Sequence, residues 1–417
     1  MRDVPAAKEF DEISSCAYSM HCAKTEGENG MIRWDDGKKK EKLSDMWYRI
    51  FHDTVPYIHF YFDEVYGKNE VILEESQDEI RGMLHLNPYI LQSGEETMEA
   101  SYIVGVSTEE EYRRQGIMRS LLGEAFHSLR ERGHAFTYLM PADENYYLPF
   151  SFRFGMKEYI QEIDPGSLSD QGRDYTFHRS GEIEHDSFAY EENKYRRSHY
   201  AISTQVSPTY FERLEKEVKS EFGLFFYVKK EGIPIGRFVA YAEDDFMSIS
   251  QMVCYSENKI EFLQEILIFC DRRYHFRSYR IRYAQDWKKE LLHSNQFDNI
   301  RIMTSKEQDV IMFRILRLED MARWLRASSP VSCILQVIDP DLEEQSGNYE
   351  FVGDQNQMTI KKVTQEADGV ISIGDLTQRF FGPQPEVISL PPSFHEKAIH
   401  FWQEVKALSP IEISEIV

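Results

Sequence analysis

One unbroken run, "ASYIVGVSTEEEYRRQGIMRSLLGEAFHSLRERG" at positions 100–133, constrains this chain more than any other. Its first nine residues have the β-branched, apolar character of a strand. From Gly116 onward the apolar positions Ile117, Met118, Leu121, Leu122, Ala125, Phe126 and Leu129 recur at three- and four-residue spacing. That spacing predicts an amphipathic helix, with Gly133 as its stop. A strand that passes through a short loop into a helix presents several backbone N–H groups at the positive end of the helix dipole. The result is an anion site suited to a diphosphate. Gly116 lets the backbone approach a ligand closely, and Arg113, Arg114 and Arg119 supply cationic contacts. No G-K-[ST] and no G-x-G-x-x-G is present, so the loop is neither a Walker loop nor a dinucleotide fingerprint.

The neighbouring segments build a unit around this run. "NEVILEE" and "EIRGMLHL" read as strands joined by the turn "SQD", and "AFTYLMP" as the strand after the helix. Upstream, "MIRW" is strand-like, and "KKKEKLSDMWYRIF" predicts a helix with Leu43, Met46, Trp47 and Ile50 on one face. The lysines at its start read as a solvated helix end. Residues 1–30 show no period and end in the loop-like "EGENG", the mark of an extension. A weaker echo follows: "GLFFYVKKEGIPIGRFVAYAED" repeats the hairpin, and "SISQMVCYSENKIEFLQEILIF" repeats strand, loop and helix. Here "YSENKI" has lost the arginines and the glycine. A third, strand-rich unit with helices starts near "DVIMFRILRLEDMARWL". The expected division is 1–30 extension, 31–185 first unit, 186–308 degenerate second unit and 309–417 third unit.

Composition narrows the function classes. A formal net charge of -23 argues against sequence-independent nucleic-acid binding, which requires clustered cations. The same acidity attracts cationic partners such as amines. Cys16, Cys22, Cys254, Cys270 and Cys333 are odd in number and form no CxxC pair, so neither a metal site nor a disulfide framework is expected. Cys254 and Cys270 read as core thiols, and His85, His127 and His134 as structural or exposed. Neither a signal-peptide run nor a membrane-spanning run occurs, which makes a cytoplasmic protein without membrane partners the expectation.

The run "VSTEEEYRRQGIMRSLL" resembles the acetyl-coenzyme A loop of the GNAT N-acetyltransferases, whose pattern is R/Q-x-x-G-x-G/A; Met118 replaces the final small residue. "PADENYYLPFSFRFGM" resembles the tyrosine-bearing segment of the enhanced intracellular survival type, with Ser151 where that family has glycine. The three-part layout is similar as well, with "DVIMFRILRLED" and "DGVISIGDLTQRFFG" carrying the C-terminal likeness. The resemblance implies an α/β (α+β) protein: tandem GNAT folds with mixed sheets flanked by helices, then a sterol-carrier-like α+β domain.

It also implies an acyltransferase using acetyl-coenzyme A as donor and no metal. Val106, Ser107 and Thr108 would line the pantetheine arm through backbone groups. Arg113, Arg114, Gln115, Gly116, Ile117, Met118 and Arg119 would wrap the diphosphate, and Ala142 and Asp143 would flank the thioester. Tyr147 would be the general acid, and the α-carboxylate of Val417 the general base. The acceptor would be a small cationic amine such as an aminoglycoside, polyamine or lysine, and the protein a homo-oligomer. The alternation in "LSPIEISEIV" fits two endings: an edge strand completing the third unit, or a strand carrying Val417 into the first unit's cleft, with Glu415 adding acidity. Two other classes remain open: a lipid or small-molecule carrier with a vestigial first domain, and a scaffold without catalysis. The intact "RRQG" weighs against the carrier, because a vestigial loop would resemble "YSENKI".

Overall fold

The computed structural model describes residues 30–164, 166, 172–179, 181–287, 301–382 and 391–415. Positions 1–29 of the expected extension, with Cys16 and Cys22, lie outside the described residues, as do Ile416 and Val417.

The first unit opens with β1 (Met31–Trp34), α1 (Lys40–Phe51) and α2 (Val55–Phe60). β2 (Glu70–Ser76), β3 (Glu79–Ser93) and β4 (Glu96–Thr108) form an antiparallel meander. Then come α3 (Ile117–Glu131), β5 (Phe136–Leu139) and β6 (Arg153–Asp164). The helical periodicity is realised: Ile117, Leu121, Leu122, Ala125, Phe126 and Leu129 are buried, while Met118 is half-buried. α1 buries Leu43, Met46 and Trp47 against a separate aromatic cluster with α2. Its lysines are paired: Lys39 with Glu75, and Lys40 with Asp63.

The second unit repeats the plan with β7 (Tyr175–Arg179), which lies before the expected boundary at 185/186 but pairs with β9, then α4 (His185–His199), β8 (Ile202–Thr204), α5 (Pro208–Ser220), β9 (Leu224–Lys230), β10 (Ile233–Ala242), β11 (Phe246–Cys254), α6 (Lys259–Tyr274) and β12 (Ser278–Tyr283). β13 (Arg301–Ile315) then crosses back and enters the sheet between β5 and β6. One mixed, 14-stranded sheet results, in the order β1-β2-β3-β4-β5-β13-β6-β12-β11-β10-β9-β7, with β8 attached to β3. β13 runs through position 308, where the sequence suggested the second unit ends, because its first half pairs with β6 and its last residues pair with both β5 and β6.

The third unit is a four-stranded sheet, β16 (Met358–Val363), β15 (Gly347–Gly353), β14 (Val331–Ile338) and β17 (Gly369–Ser372), packed with α7 (Ile373–Phe381) and α8 (Glu396–Glu404). At its seam with the first unit Phe313 and Phe381 stack 4.5 Å apart and nearly parallel, and Phe136 meets both edge-on. The fold class is therefore the expected α/β (α+β). Cys254, Cys270 and Cys333 are buried free thiols. Among the described residues, no helix is long and apolar enough to cross a membrane.

The last strand, β18 (Ile411–Glu412), pairs parallel with β8. It therefore joins the sheet of the first two units and not the four-stranded sheet of the third. Beyond it Ile413, Ser414 and Glu415 are all buried. The alternation of "IEIS" thus ends where the tail enters the protein.

Candidate acyl-transfer site

β4 and β5 run parallel and diverge. Only Tyr102 and Tyr138 are in register between them among the described residues. Beyond Tyr102, the β4 edge that faces β5 is left without a strand partner, while its other edge stays paired with β3 through Thr108. Open backbone N–H and C=O groups inside a fold demand a ligand or water. In the second unit the equivalent strands pair over four residues, Phe246–Ile249 with Ser278–Ile281, and the gap is closed.

β4 also carries a bulge. Met83 pairs with Ser107 but His85 pairs with Val104, so one extra residue stands on β4. Gly105 takes φ +63° there, and a Cβ would lie 2.4 Å from the Trp47 ring. The bulge turns the Val106–Thr108 backbone, and Ser107 is buried with its hydroxyl unpartnered. The second unit keeps the same irregularity at Gln251, φ +47°. There the Arg237 Nη1 donates to the Gln251 carbonyl at 3.1 Å.

The loop after β4 passes through a short 3₁₀ turn, Glu110–Tyr112, into α3. Arg114 has φ +63° and Gly116, the residue before α3, φ +85°. A Cβ at Gly116 would meet nothing within 4 Å, so its backbone angle, not crowding, is what calls for glycine. No side chain caps α3, which leaves its first-turn N–H groups for an anion. Arg113 Nε donates to the Thr108 carbonyl at 3.3 Å and Gln115 Nε2 to the Glu111 carbonyl at 3.2 Å, so both brace the loop. Arg119 lies across the Phe150 ring and reaches Asp341 of the third unit at 2.8 Å. Sequence reasoning missed this link, because no local pattern connects residues so far apart.

Phe150 closes the segment that bears the other expected residues. Asp143 caps the turn Glu144–Tyr146 by accepting from Asn145 N at 2.9 Å, with Ala142 exposed beside it. Tyr147 follows, buried, its ring edge-on to Phe152 at 5.8 Å. Burial, reinforced by Tyr146, pushes its phenol up to about 12, so it holds its proton throughout the neutral range. Arg119 over Phe150 thus brings the α3 loop and the tyrosine segment together. His85 is fully buried among Trp47, Tyr61 and Phe62, and burial holds it neutral with a pKa of about 3. His134 is buried, and His127 lies near Glu344 on the surface. Among the described residues, no group of three or more His, Cys, Asp or Glu is arranged to hold a metal ion.

Near Tyr102 lies a buried cluster of polar and charged side chains not foreseen from sequence. Tyr89 from β3, Tyr210, Arg213 and Glu217 from α5, and Glu415 from the tail lie within electrostatic reach of one another. Tyr89 accepts from Arg213 Nη1 at 2.5 Å. Thr204 Oγ1 donates to Glu415 Oε2 at 2.8 Å, but Glu415 Oε1, Tyr210 Oη and Tyr138 Oη are buried without a partner among the described residues. The Tyr210 hydroxyl stands against Glu415 and helps hold its carboxyl down, although the pair falls outside strict hydrogen-bond geometry. Burial raises the Glu415 carboxyl and pushes that of Glu217 up to about 7. Polar atoms buried with so little satisfaction near the vertex of an open strand edge suit a hydrogen-bonding guest. Val417, expected to act here, lies outside the described residues.

Residues 35–155 match the family model described as an acetyltransferase (GNAT) domain. The chain therefore carries an acetyltransferase domain, which makes it an enzyme of the acyltransferase class. No curated protein matches the sequence. Among solved structures, a probable N-acyltransferase from Enterococcus faecalis V583 superposes with TM-score 0.71 at 13% identity, covering 85% of this chain and 90% of its own. A GCN5-related N-acetyltransferase from Anabaena variabilis gives 0.70 at 13% identity, covering 92% and 99%. Eis1 from Mycobacterium abscessus gives 0.64 at 12% identity, covering 91% and 94%. At these identities the likeness is one of fold.

Proposed function

We propose that the chain is an acetyl-coenzyme A-dependent N-acetyltransferase of the enhanced intracellular survival type. It passes the acetyl group directly to a primary amine of a small cationic acceptor. The observation that carries this reading is the divergence of β4 from β5 beyond Tyr102, together with the uncapped start of α3 and the buried carboxylate-bearing cluster near Tyr102. The residues present fit the donor. The amides of the first turn of α3, with Arg114 nearby, receive the diphosphate, and the open β4 edge at Val106–Thr108 receives the pantetheine arm. Ala142 and Asp143 flank the thioester.

In the reaction the amine nitrogen attacks the thioester carbonyl, and backbone N–H groups at the β4 bulge hold the oxyanion. The C–S bond then breaks, Tyr147 gives its proton to the departing thiolate, and the proton shed by the new amide nitrogen returns to the tyrosinate, leaving N-acetylated product and coenzyme A thiol. Before attack the ammonium loses a proton to a carboxylate. In this reading that is the α-carboxylate of Val417, delivered by the tail that Ile411–Glu415 begin. The carboxylates of Glu415 and Glu217, set among Tyr89 and Tyr210, favour a cationic acceptor of the aminoglycoside, polyamine or lysine kind. Residues 309–417 are assigned as the sterol-carrier-like domain, and the protein as a cytoplasmic homo-oligomer.

The test is a screen of amine acceptors with acetyl-coenzyme A, read as free thiol released, alongside thermal shift with the donor alone. Donor-dependent stabilisation and thiol release with at least one amine are expected. Neither effect at saturating donor would overturn the reading.

A further inference from the structure

The tail is gripped from the second unit. Arg196 on α4 and Arg237 on β10 are fully buried, and both bind one buried carboxylate, Glu192. Arg237 takes both oxygens, Nε to Oε2 and Nη2 to Oε1, each at 2.8 Å. Arg196 Nε donates to Oε1 at 2.9 Å, and the Tyr255 hydroxyl to Oε2 at 2.9 Å. Burial alone would raise the Glu192 carboxyl; the two guanidinium groups overcome that and hold it at about 2. Arg196 also feels the carboxylates of Glu412 and Glu415, and a guanidinium buried this deeply must find an acceptor for each of its N–H groups.

It finds them in the tail. Arg196 Nη2 donates to Ser414 Oγ at 2.7 Å, and Nη1 to the Glu412 carbonyl at 3.5 Å. Thr204 on β8 adds a second hold, accepting from Ser414 N at 3.1 Å while donating to Glu415. Ile413 N reaches the sulfur of Met156 on β6 at 3.3 Å. The network occupies the part of the second unit that corresponds to the first unit's open site, since Arg237 also binds the carbonyl of the bulge residue Gln251.

We propose that the second unit has exchanged a ligand site for a clamp, in which Arg196, backed by Glu192 and Arg237, is a positioning residue that holds residues 412–415 so that Glu415 faces Tyr138 and Tyr210. The catalytic consequence rests on the transferase reading; the clamp does not.

Arg196→Gln leaves a neutral Glu192–Arg237 pair and is expected to fold. Ser414→Ala removes the contact from the tail side, where little can unfold. Carboxypeptidase trimming of the folded full chain, followed by mass, is expected to leave Glu415 and everything before it in place in the parent. Losing a hydrogen bond to a buried charge shifts a docking equilibrium roughly 10- to 100-fold. Trimming through Ser414 should quicken by about that factor in both variants, as it tracks the open population. Turnover should fall with the acetyl-coenzyme A KM unchanged, and Arg196→Lys should recover part of it. Trimming no faster in either folded variant would overturn the clamp. Faster trimming with parental thiol release would overturn the positioning role. Should the parent release no thiol with any amine, the transferase reading fails, and trimming alone still decides the clamp.

Discussion

Tyr102 on β4 and Tyr138 on β5 face each other with ring centroids 5.4 Å apart, and the strands diverge from that point. The Thr137 hydroxyl donates to the Ser101 carbonyl at 2.7 Å, which pins the vertex. At Gly105, just past that point, a bulge turns the β4 backbone. The second unit bulges too, at Gln251, but there a buried arginine binds the bulge and the two strands close over four pairs. Two copies of one plan thus differ in whether the gap is open, and only the open copy keeps the arginine-bearing loop.

Gly116→Asp should weaken acetyl-coenzyme A binding at least tenfold while the fold persists. A carboxylate there stands where a diphosphate must sit, and at about 4 Å an opposing unit charge costs roughly 4 kcal/mol at the effective dielectric of a protein surface. Gly116→Asn is the control: it has the same size and the same demand on a φ of +85° but no charge. Titration of donor binding by calorimetry should rank parent, Asn and Asp in falling order. Equal affinity for all three would remove the loop from the donor site.

Tyr147→Phe should lower kcat roughly 100- to 10,000-fold and leave donor affinity almost unchanged, since it deletes only the proton donor. Because burial holds the phenol at about 12, the parent should show no loss of rate from this group between pH 7 and pH 10. A pH–rate profile under saturating donor and acceptor checks both statements.

Glu217 predicts a pH signature. Its folded carboxyl titrates near 7, raised by burial from an ordinary 4.5. Between those values the folded chain binds more protons than the unfolded one, so this group's contribution to stability falls as pH rises from about 4.5 to 7. Glu217→Gln should therefore raise the thermal midpoint at pH 8 relative to the parent. The gain is on the order of 1–3 kcal/mol, kept below the full linkage value by the residue's partial exposure, and should vanish at pH 4.5. On the proposed function the same substitution should flatten a fall in acceptor KM that the parent shows as pH rises through 7. A pH series of melting curves and acceptor titrations tests the pair.

What the sequence displayed was local. The stripe from Ile117 to Leu129, the "SQD" turn and the Gly232 hairpin follow from periods of 3.6 and 2 and from turn chemistry, and each stands where expected. What it hid was non-local. Glu192 and Arg196 are four apart on a helix of low amphipathicity, a spacing that normally marks a solvated pair, yet both are fully buried because Arg237 and the tail arrive from elsewhere. β13 reads as the opening of a third unit and instead threads between β5 and β6. Arg119 reads as a diphosphate contact, and in the fold it also bridges to Asp341. Periodicity cannot report a partner 200 residues away.

Gly105→Ala tests the bulge itself. The residue holds φ +63°, where an L side chain costs about 1–2 kcal/mol. The added Cβ would stand 2.4 Å from Cζ3 of Trp47 and 3.2 Å from the His85 ring. Trp47 has little room to retreat: Phe51, Tyr61 and Phe62 ring it, and its Nε1 is tied to Asp53 at 2.8 Å. Overpacking of this kind adds about 1–3 kcal/mol. The sum is a loss of roughly 2–5 kcal/mol in unfolding free energy, measurable by denaturant titration. Relief by straightening the bulge would restore ordinary register with β3 and swing Val106–Thr108 off the open edge. Donor affinity should then fall together with stability. A variant that loses stability but binds acetyl-coenzyme A as the parent does would show that the divergence of β4 from β5 does not depend on the bulge, and Thr137 and Tyr138 would then have to hold it open from the β5 side.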